Sequence, residues 1–220
     1  MKLSDKTIAL LKNFSDINQS ILFKKGNQIR TISVMKNILA EATVQEEFPK
    51  DFGIYDLNQF LRGVFLHNQP ELDFTHEGHV VIREGKTRSK YFFAEPSVIV
   101  TPPEKSLTLP SMDVEFDLSS DQLEKIRKAV LAFQLPDLSV VGEAGVVKLV
   151  LHDKKNDTSN DFQVIVGETE GEFYFNFKVE NIKIIPGSYS VSISSKLLSK
   201  FVNSDYDLTY YIALEPDSNF

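Results

Sequence analysis
The sequence predicts an α+β protein of two similar domains, each with two helices packed on a mostly antiparallel sheet. Three observations carry this. Apolar residues recur at helical spacing in a few short stretches, while strand-type runs are many. Prolines gather between Glu95 and Met112, where Pro96, Pro102, Pro103 and Pro110 make four of the nine in the chain. The order of elements before that stretch begins again after it. The domains are therefore placed at 1–110, connector included, and 111–220.

The first element is a helix. Ser4 suits its N-cap, because a hydroxyl accepts from the free N–H groups of a first turn, and Ile8, Leu11 and Phe14 follow at helical spacing. Asn18 and Gln19 close it. Strands are expected at Ile21–Lys24 and Ile29–Val34, joined as a hairpin through Lys25-Gly26-Asn27. A third strand covers Ile38–Val44, Pro49 breaks the chain, and Phe52–Tyr55 is a short strand. Asp56 caps a second helix whose apolar side is Leu57, Phe60, Leu61, Val64 and Phe65. Strands follow at Glu71–Thr75, at His79–Arg83 beyond a Glu77-Gly78 turn, and at Lys90–Ala94. In the connector each proline restrains itself and the residue before it, favouring extended backbone without ladder partners; a strand at Val98–Val100 stays open.

The second half opens with a strand at Val114–Leu118. Ser119 or Ser120 then caps a helix presenting Leu123, Ile126, Val130 and Phe133, which Pro136 stops. Strands are read at Leu138–Val141, Val146–His152, Phe162–Val166 and Phe173–Val179, with a polar loop at Asp153–Asn160. A short helix or turn covers Glu180–Ile184 and ends at Pro186-Gly187. Ser188–Ser194, Leu198–Asn203 and Leu208–Ala213 complete the strands. Phe14, Ile21 and Gly26 align with Phe133, Val140 and Gly145 at an offset of about 119, and Tyr55–Leu61 aligns with Val179–Ile185 at about 124.

Composition bounds the function. The chain of 220 residues is 42% hydrophobic and 25% charged, an ordinary globular balance. No run approaches the roughly 18 apolar residues that span a bilayer, so no membrane partner is expected. The opening Met1–Thr7 lacks the apolar core of a signal peptide. Cysteine is absent, which excludes disulfides and thiolate metal sites and fits a cytoplasmic location. The net charge of -7 argues against bulk attraction to nucleic acid. Its distribution is uneven, however. Residues 1–17 and 120–134 each carry +1 and residues 56–67 and 180–185 are neutral, so the expected helices hold +2 and the rest of the chain -9. The same pattern is also that of ordinary solvated helix faces.

No catalytic constellation emerges, and no cofactor or metal is expected. Gly85-Lys86-Thr87 would need a glycine at position 80 to be a phosphate loop, but that residue is Val80, and no helix opens there; the segment reads as a turn. His76 and His79 lack further ligands nearby, and His67 and His152 read as surface or satisfied histidines. Glu46 with Glu47, and Glu168, Glu170 and Glu172, read as solvent-facing carboxylates.

Particular residues go further. Met1-Lys2-Leu3-Ser4 with Ala9-Leu10-Leu11-Lys12-Asn13-Phe14, then Ile54-Tyr55-Asp56-Leu57-Asn58, Pro186-Gly187-Ser188-Tyr189, and Tyr211-Ile212-Ala213-Leu214-Glu215 with Asp217-Ser218 occur in that order. In these blocks the chain resembles the DNA sliding clamps of T-even-type bacteriophages, departing most at Lys86–Met112 and Asp153–Asn160. The resemblance implies a DNA clamp fold and a homotrimer closed head to tail, with twelve helices lining the hole and no catalytic site. It implies sequence-independent, topological encirclement of duplex DNA, loading by an ATP-driven clamp loader, tethering of the replicative DNA polymerase, and a host-cell cytoplasmic setting. Matching positions place Lys6, Lys12, Lys125 and Lys128 on the bore, with Lys2 and Arg127 beside them. Clamp partner peptides dock beside the connector and the last strand, which implies Tyr211, Leu214 and Pro216, with Ile99 or Val100. From its place in the strand alone, Tyr211 reads as a plain strand residue. Two other readings stay open: a duplicated protein-binding scaffold unrelated to DNA, and an enzyme whose polar cleft the sequence does not reveal.

Overall fold
The computed structural model describes residues 1–220. The chain forms two compact units, residues 1–105 with 206–208, and residues 106–205 with 209–220.

In unit 1 the order is α1 (Asp5–Ile17), β1 (Ile21–Phe23), β2 (Gly26–Ile32), β3 (Ile38–Phe48), β4 (Phe52–Ile54), α2 (Leu57–Phe65), β5 (Glu71–Asp73), β6 (His79–Glu84) and β7 (Thr87–Phe92). α1 forms where expected. The Ser4 side chain accepts from Thr7 N–H, and the helix ends at Asn18, whose N–H donates to Phe14 O and whose side chain donates to Ile32 O. Leu10, Leu11, Phe14 and Ile17 are buried against α2, β2 and β3, while Ile8 is only half-buried. Strands β5, β6 and β7 form one antiparallel sheet with β7 at its edge. Phenylalanines fill much of this core. Phe23, Phe48, Phe52 and Phe74 pack ring against ring, with Phe23 and Phe52 stacked at 4.6 Å.

In unit 2 the order is β8 (Val114–Leu118), α3 (Ser120–Phe133), β9 (Asp137–Glu143), β10 (Val146–His152), β11 (Phe162–Glu168), β12 (Phe173–Lys178), β13 (Tyr189–Ser194), β14 (Leu198–Asn203) and β15 (Leu208–Ala213). One sheet runs β11-β10-β9-β12, so β11 and β12 are its edges. A second has the order β8-β13-β14-β15. β9 turns into β10 through Ala144 (φ 51°) and Gly145 (φ 84°), the pair of positive φ angles a tight two-residue hairpin requires. The class is therefore α+β, two similar domains of helix on antiparallel sheet.

Two expectations are corrected and one open reading is decided. Ile21–Lys24 and Ile29–Val34 are not a hairpin: β1 pairs with β4 (Leu22 opposite Gly53) and β2 with β3 (Ile29 opposite Ala42). Gly26, at φ 115°, turns the chain from one pairing to another. Val98–Val100 is not a strand, because Pro96–Val98 closes a 3-10 turn in which Ile99 N–H donates to Pro96 O. The fourth helix is absent as well. Val179–Asn181 forms a single 3-10 turn, leaving three α-helices. Too few residues precede Pro186, and three of them are β-branched (Ile182, Ile184, Ile185), so nucleating a helix is not repaid by propagation.

Candidate functional site
The basic residues assigned to the bore sit on α1 and α3 or just before α1. Lys6 Nζ lies 5.7 Å from the centroid of the Tyr206 ring, and Lys12 Nζ lies 4.6 Å from that of Phe65. An ammonium over an aromatic face is held there by the ring quadrupole without losing its charge. Lys2 donates to Gln69 Oε1 at 3.5 Å and stands 4.0 Å from Glu71.

α1 itself is held by a carboxylate that sequence reading placed in solvent. Glu46, on β3, is only 6% exposed. It accepts from Ser4 N–H and from the Thr7 hydroxyl, at the positive end of the helix. Burial pushes its carboxyl up, but donation by Thr7 and Ser4 outweighs this and leaves the group below its ordinary value. The signal was present in the alternation. Ala40, Ala42, Val44, Glu46 and Phe48 share one face of β3, and all are buried. Glu47, between them, is exposed as expected.

α3 is capped by Ser119, which accepts from Gln122 N–H while the Gln122 side chain accepts from Ser119 N–H. Its buried residues are Leu123, Ile126 and Ala129; Val130 is half-buried and Phe133 exposed. On its solvent side Lys125 pairs with Asp121 at 2.7 Å and Lys128 with Glu124 at 2.6 Å, both four residues apart. The Glu124 carboxylate raises the Lys128 ammonium above its ordinary value. These lysines therefore form a chequered surface rather than a basic patch. Arg127 stands at the rim of an apolar cavity of about 230 Å³ lined by Leu123, Val130, Leu131, Leu151 and Ile182.

The residues assigned to a partner pocket are divided between burial and exposure. Ile99 is buried, packed so closely on Gly53 that a Cβ there would lie 2.6 Å from its Cδ1. Val100 is exposed, and its carbonyl accepts from Asn18 Nδ2 at 3.4 Å. Tyr211 and Leu214 are buried, and Pro216 is exposed. The Tyr211 hydroxyl donates to Leu107 O at 2.7 Å, and Leu214 N–H donates to Leu197 O at 3.0 Å. The connector is pinned a second time by Arg30, whose Nη1 donates to Pro103 O at 2.8 Å. Neither pin was visible in sequence, because a side chain meeting a carbonyl 73 or 104 positions away leaves no local pattern.

The residues read as non-catalytic are placed as follows. Gly85, at φ 53°, and Lys86 turn β6 into β7 between Glu84 and Thr87. His67 meets the hydroxyls of Thr87 and Ser89, and His152 those of Ser139 and Tyr174. His76 and His79 stack at 4.4 Å, and no group of three or more His, Cys, Asp or Glu side chains is gathered that could hold a metal ion.

Comparison with known proteins gives concordant matches. Residues 2–101 match a family model described as DNA polymerase processivity factor, and residues 115–216 match that of the gp45 sliding clamp, C terminal. The sliding clamp of Vibrio phage KVP40 is 34% identical over 98% of this chain and 99% of its own length. That of Enterobacteria phage T4 is 30% identical over 99% and 98%. Among solved structures, the proliferating cellular nuclear antigen of Entamoeba histolytica aligns over 97% of both chains with a TM-score of 0.72 at 14% identity. A complex described as the C-terminal region of FEN-1 bound to A. fulgidus PCNA aligns over 96% of this chain and 95% of that one, with a TM-score of 0.68 at 14% identity. At that identity these two likenesses speak for the fold alone.

Proposed function
The chain belongs to the sliding-clamp family of DNA polymerase processivity factors, and from that premise we propose that three copies close head to tail around duplex DNA and tether the replicative polymerase. A clamp loader that uses ATP places the ring on DNA. Processivity then comes from topology, and the tether raises the polymerase's concentration at the template.

The observation that carries the trimer is a pair of unfinished sheet edges. β7 ends one sheet and β11 another, and each shows a large apolar side chain to solvent: Phe92 is 70% and Ile165 60% exposed. Phe65 and Leu66, at the end of α2, and Leu131 and Phe133, on α3, are exposed too. Edge strands with apolar exposure call for a partner. A β7 edge meeting the β11 edge of the next copy is a heterologous contact, which makes a ring when the rotation closes.

The basic residues Lys6, Lys12, Lys125 and Lys128, with Lys2 and Arg127 beside them, face the DNA across the bore. The pairs on α3 are solvent-exposed and contribute little, so phosphate oxygens can replace the carboxylates at little cost. The hold is weak and indifferent to sequence, as sliding requires. For the partner-peptide surface we take Tyr211, Leu214 and Pro216, all in unit 2.

Electron microscopy of single particles, with sedimentation at micromolar concentration, tests the reading. A three-fold ring with the mass of three 25.0 kDa chains is expected. A strict monomer, or a ring whose opening is closed, overturns it.

A further inference from the structure
β12 is an edge strand, and its free side is already taken by residues 215–220 of the same chain. Tyr174 N–H donates to Asn219 O at 2.8 Å, and Asn219 N–H donates to Tyr174 O at 2.7 Å. Glu215 N–H donates to Asn176 O at 2.8 Å, and Asn176 N–H donates to the Ser218 hydroxyl at 2.9 Å. Lys154 Nζ donates to Asp217 Oδ2 at 2.7 Å, which holds that carboxyl below its ordinary range. Asn176 Nδ2 adds a bond to Asp217 Oδ1 at 3.2 Å. The Phe220 ring stacks on Phe175 and Phe173 at 5.9 Å and 6.3 Å.

The two sides of this contact are unequal. On the receiving side the groups are fixed from behind. Asn176 is 1% exposed, and its Oδ1 accepts from the Ser139 hydroxyl, itself 2.7 Å away and within 2.8 Å of His152 Nε2. Lys154 N–H donates to the buried Asp137 carboxylate. Phe173 lies so close over Gly142 that a Cβ there would come within 2.4 Å of its ring. The segment laid on top is bonded to the strand on one side and open to solvent on the other. Pro216, Asp217 and Asn219 are exposed, and Phe220 is 60% exposed.

We infer that the β12 edge is a docking strip for an extended partner peptide carrying an acidic residue three positions before an aromatic one. Residues 215–220 are its resident occupant and show what it accepts: a strand-like backbone against Tyr174 and Asn176, a carboxylate on Lys154, a ring on Phe173 and Phe175. Adding a strand to a sheet edge takes its affinity from main-chain bonds and its specificity from pockets for side chains, and both are present here. The resident segment competes through its tether, so a partner gains the strip only when it is itself held near by another contact, or when the segment is weakened. The strip lies within unit 2, and the inference stands whether or not the ring forms.

The test uses a fluorescein-labelled synthetic peptide, Glu-Pro-Asp-Ser-Asn-Phe, and full-length protein, either wild type or carrying Asp217→Ala with Phe220→Ala. Fluorescence anisotropy is expected to show binding at least about tenfold tighter to the double variant, since its own segment no longer competes. Lys154→Glu added to the variant, or alanine for the peptide's phenylalanine, is expected to abolish that binding. Hydrogen exchange gives a second readout. The Tyr174 and Asn176 amides are expected to exchange faster in the double variant and to be protected again by the peptide. Equal affinity for wild type and variant, or no saturable binding to either, overturns the inference. Protection restored by added wild-type chain and not by peptide assigns the strip to a second copy, and overturns it as well.

Discussion

Glu46 ties down the first turn of α1, the helix that carries Lys6 and Lys12. Replacing it with alanine leaves Ser4 N–H and the Thr7 hydroxyl without their acceptor. Glu46→Ala is therefore expected to lower stability by about 1–3 kcal/mol in urea denaturation at neutral pH. A loss below about 0.5 kcal/mol, the ordinary range of a surface change, would remove the anchoring role. The pH dependence has a definite sign. The folded carboxyl lies below its ordinary value of 4.5, so its contribution is complete above 4.5 and is lost as pH falls through the folded value. The gap between wild type and Glu46→Ala should narrow on acidification; a gap that widens contradicts the assignment. Glu46 was read as solvent-facing because the expected strand stopped at Val44; β3 runs on to Phe48, and its alternation puts Glu46 on the buried face. Its partners were not legible, because Ser4 and Thr7 lie 42 and 39 positions away.

At the scale of elements, the three α-helices were the most legible parts. Ser4, Asp56 and Ser119 each cap by accepting from a nearby backbone N–H, an interaction confined to four residues of chain. Ser119→Ala breaks both bonds of the capping box and is expected to cost about 1 kcal/mol by thermal or chemical unfolding. No measurable change would mean that packing of Leu123 and Ile126 alone holds the first turn. The fourth helix failed for a reason of length. Alignment with the first half carried the expectation into a segment too short and too β-branched to repay nucleation. Strand pairing was less legible than strand position. Gly26 marks a turn truly, but a glycine does not specify which strands meet on either side of it.

For the whole molecule, the proposed ring makes two measurable demands. Phe92→Asp or Ile165→Asp puts a charge into an apolar joint while leaving each domain core intact, so either should shift the assembly to monomers in sedimentation, with unchanged circular dichroism. A ring that survives both moves the joint elsewhere. Lys125→Glu with Lys128→Glu should impair loading or sliding on primed DNA without altering the fold, and should flatten the salt dependence of DNA association. Unchanged loading and sliding would remove α3 from the bore. By itself the sequence determined where three helices start, that each carries an apolar face, that Gly85-Lys86-Thr87 is a turn and not a phosphate loop, and that the chain carries a net charge of -7. Those properties are set by caps, turns, alternation and composition, which act within a few residues of chain. Only the tertiary structure decided that β1 pairs with β4, that Glu46 receives α1, that Arg30 and Tyr211 pin the connector, and that residues 215–220 close the β12 edge. Backbone donors and acceptors are alike in every strand, so the choice among edges is made by which whole faces bury together across long separations, and that is not written in any local stretch.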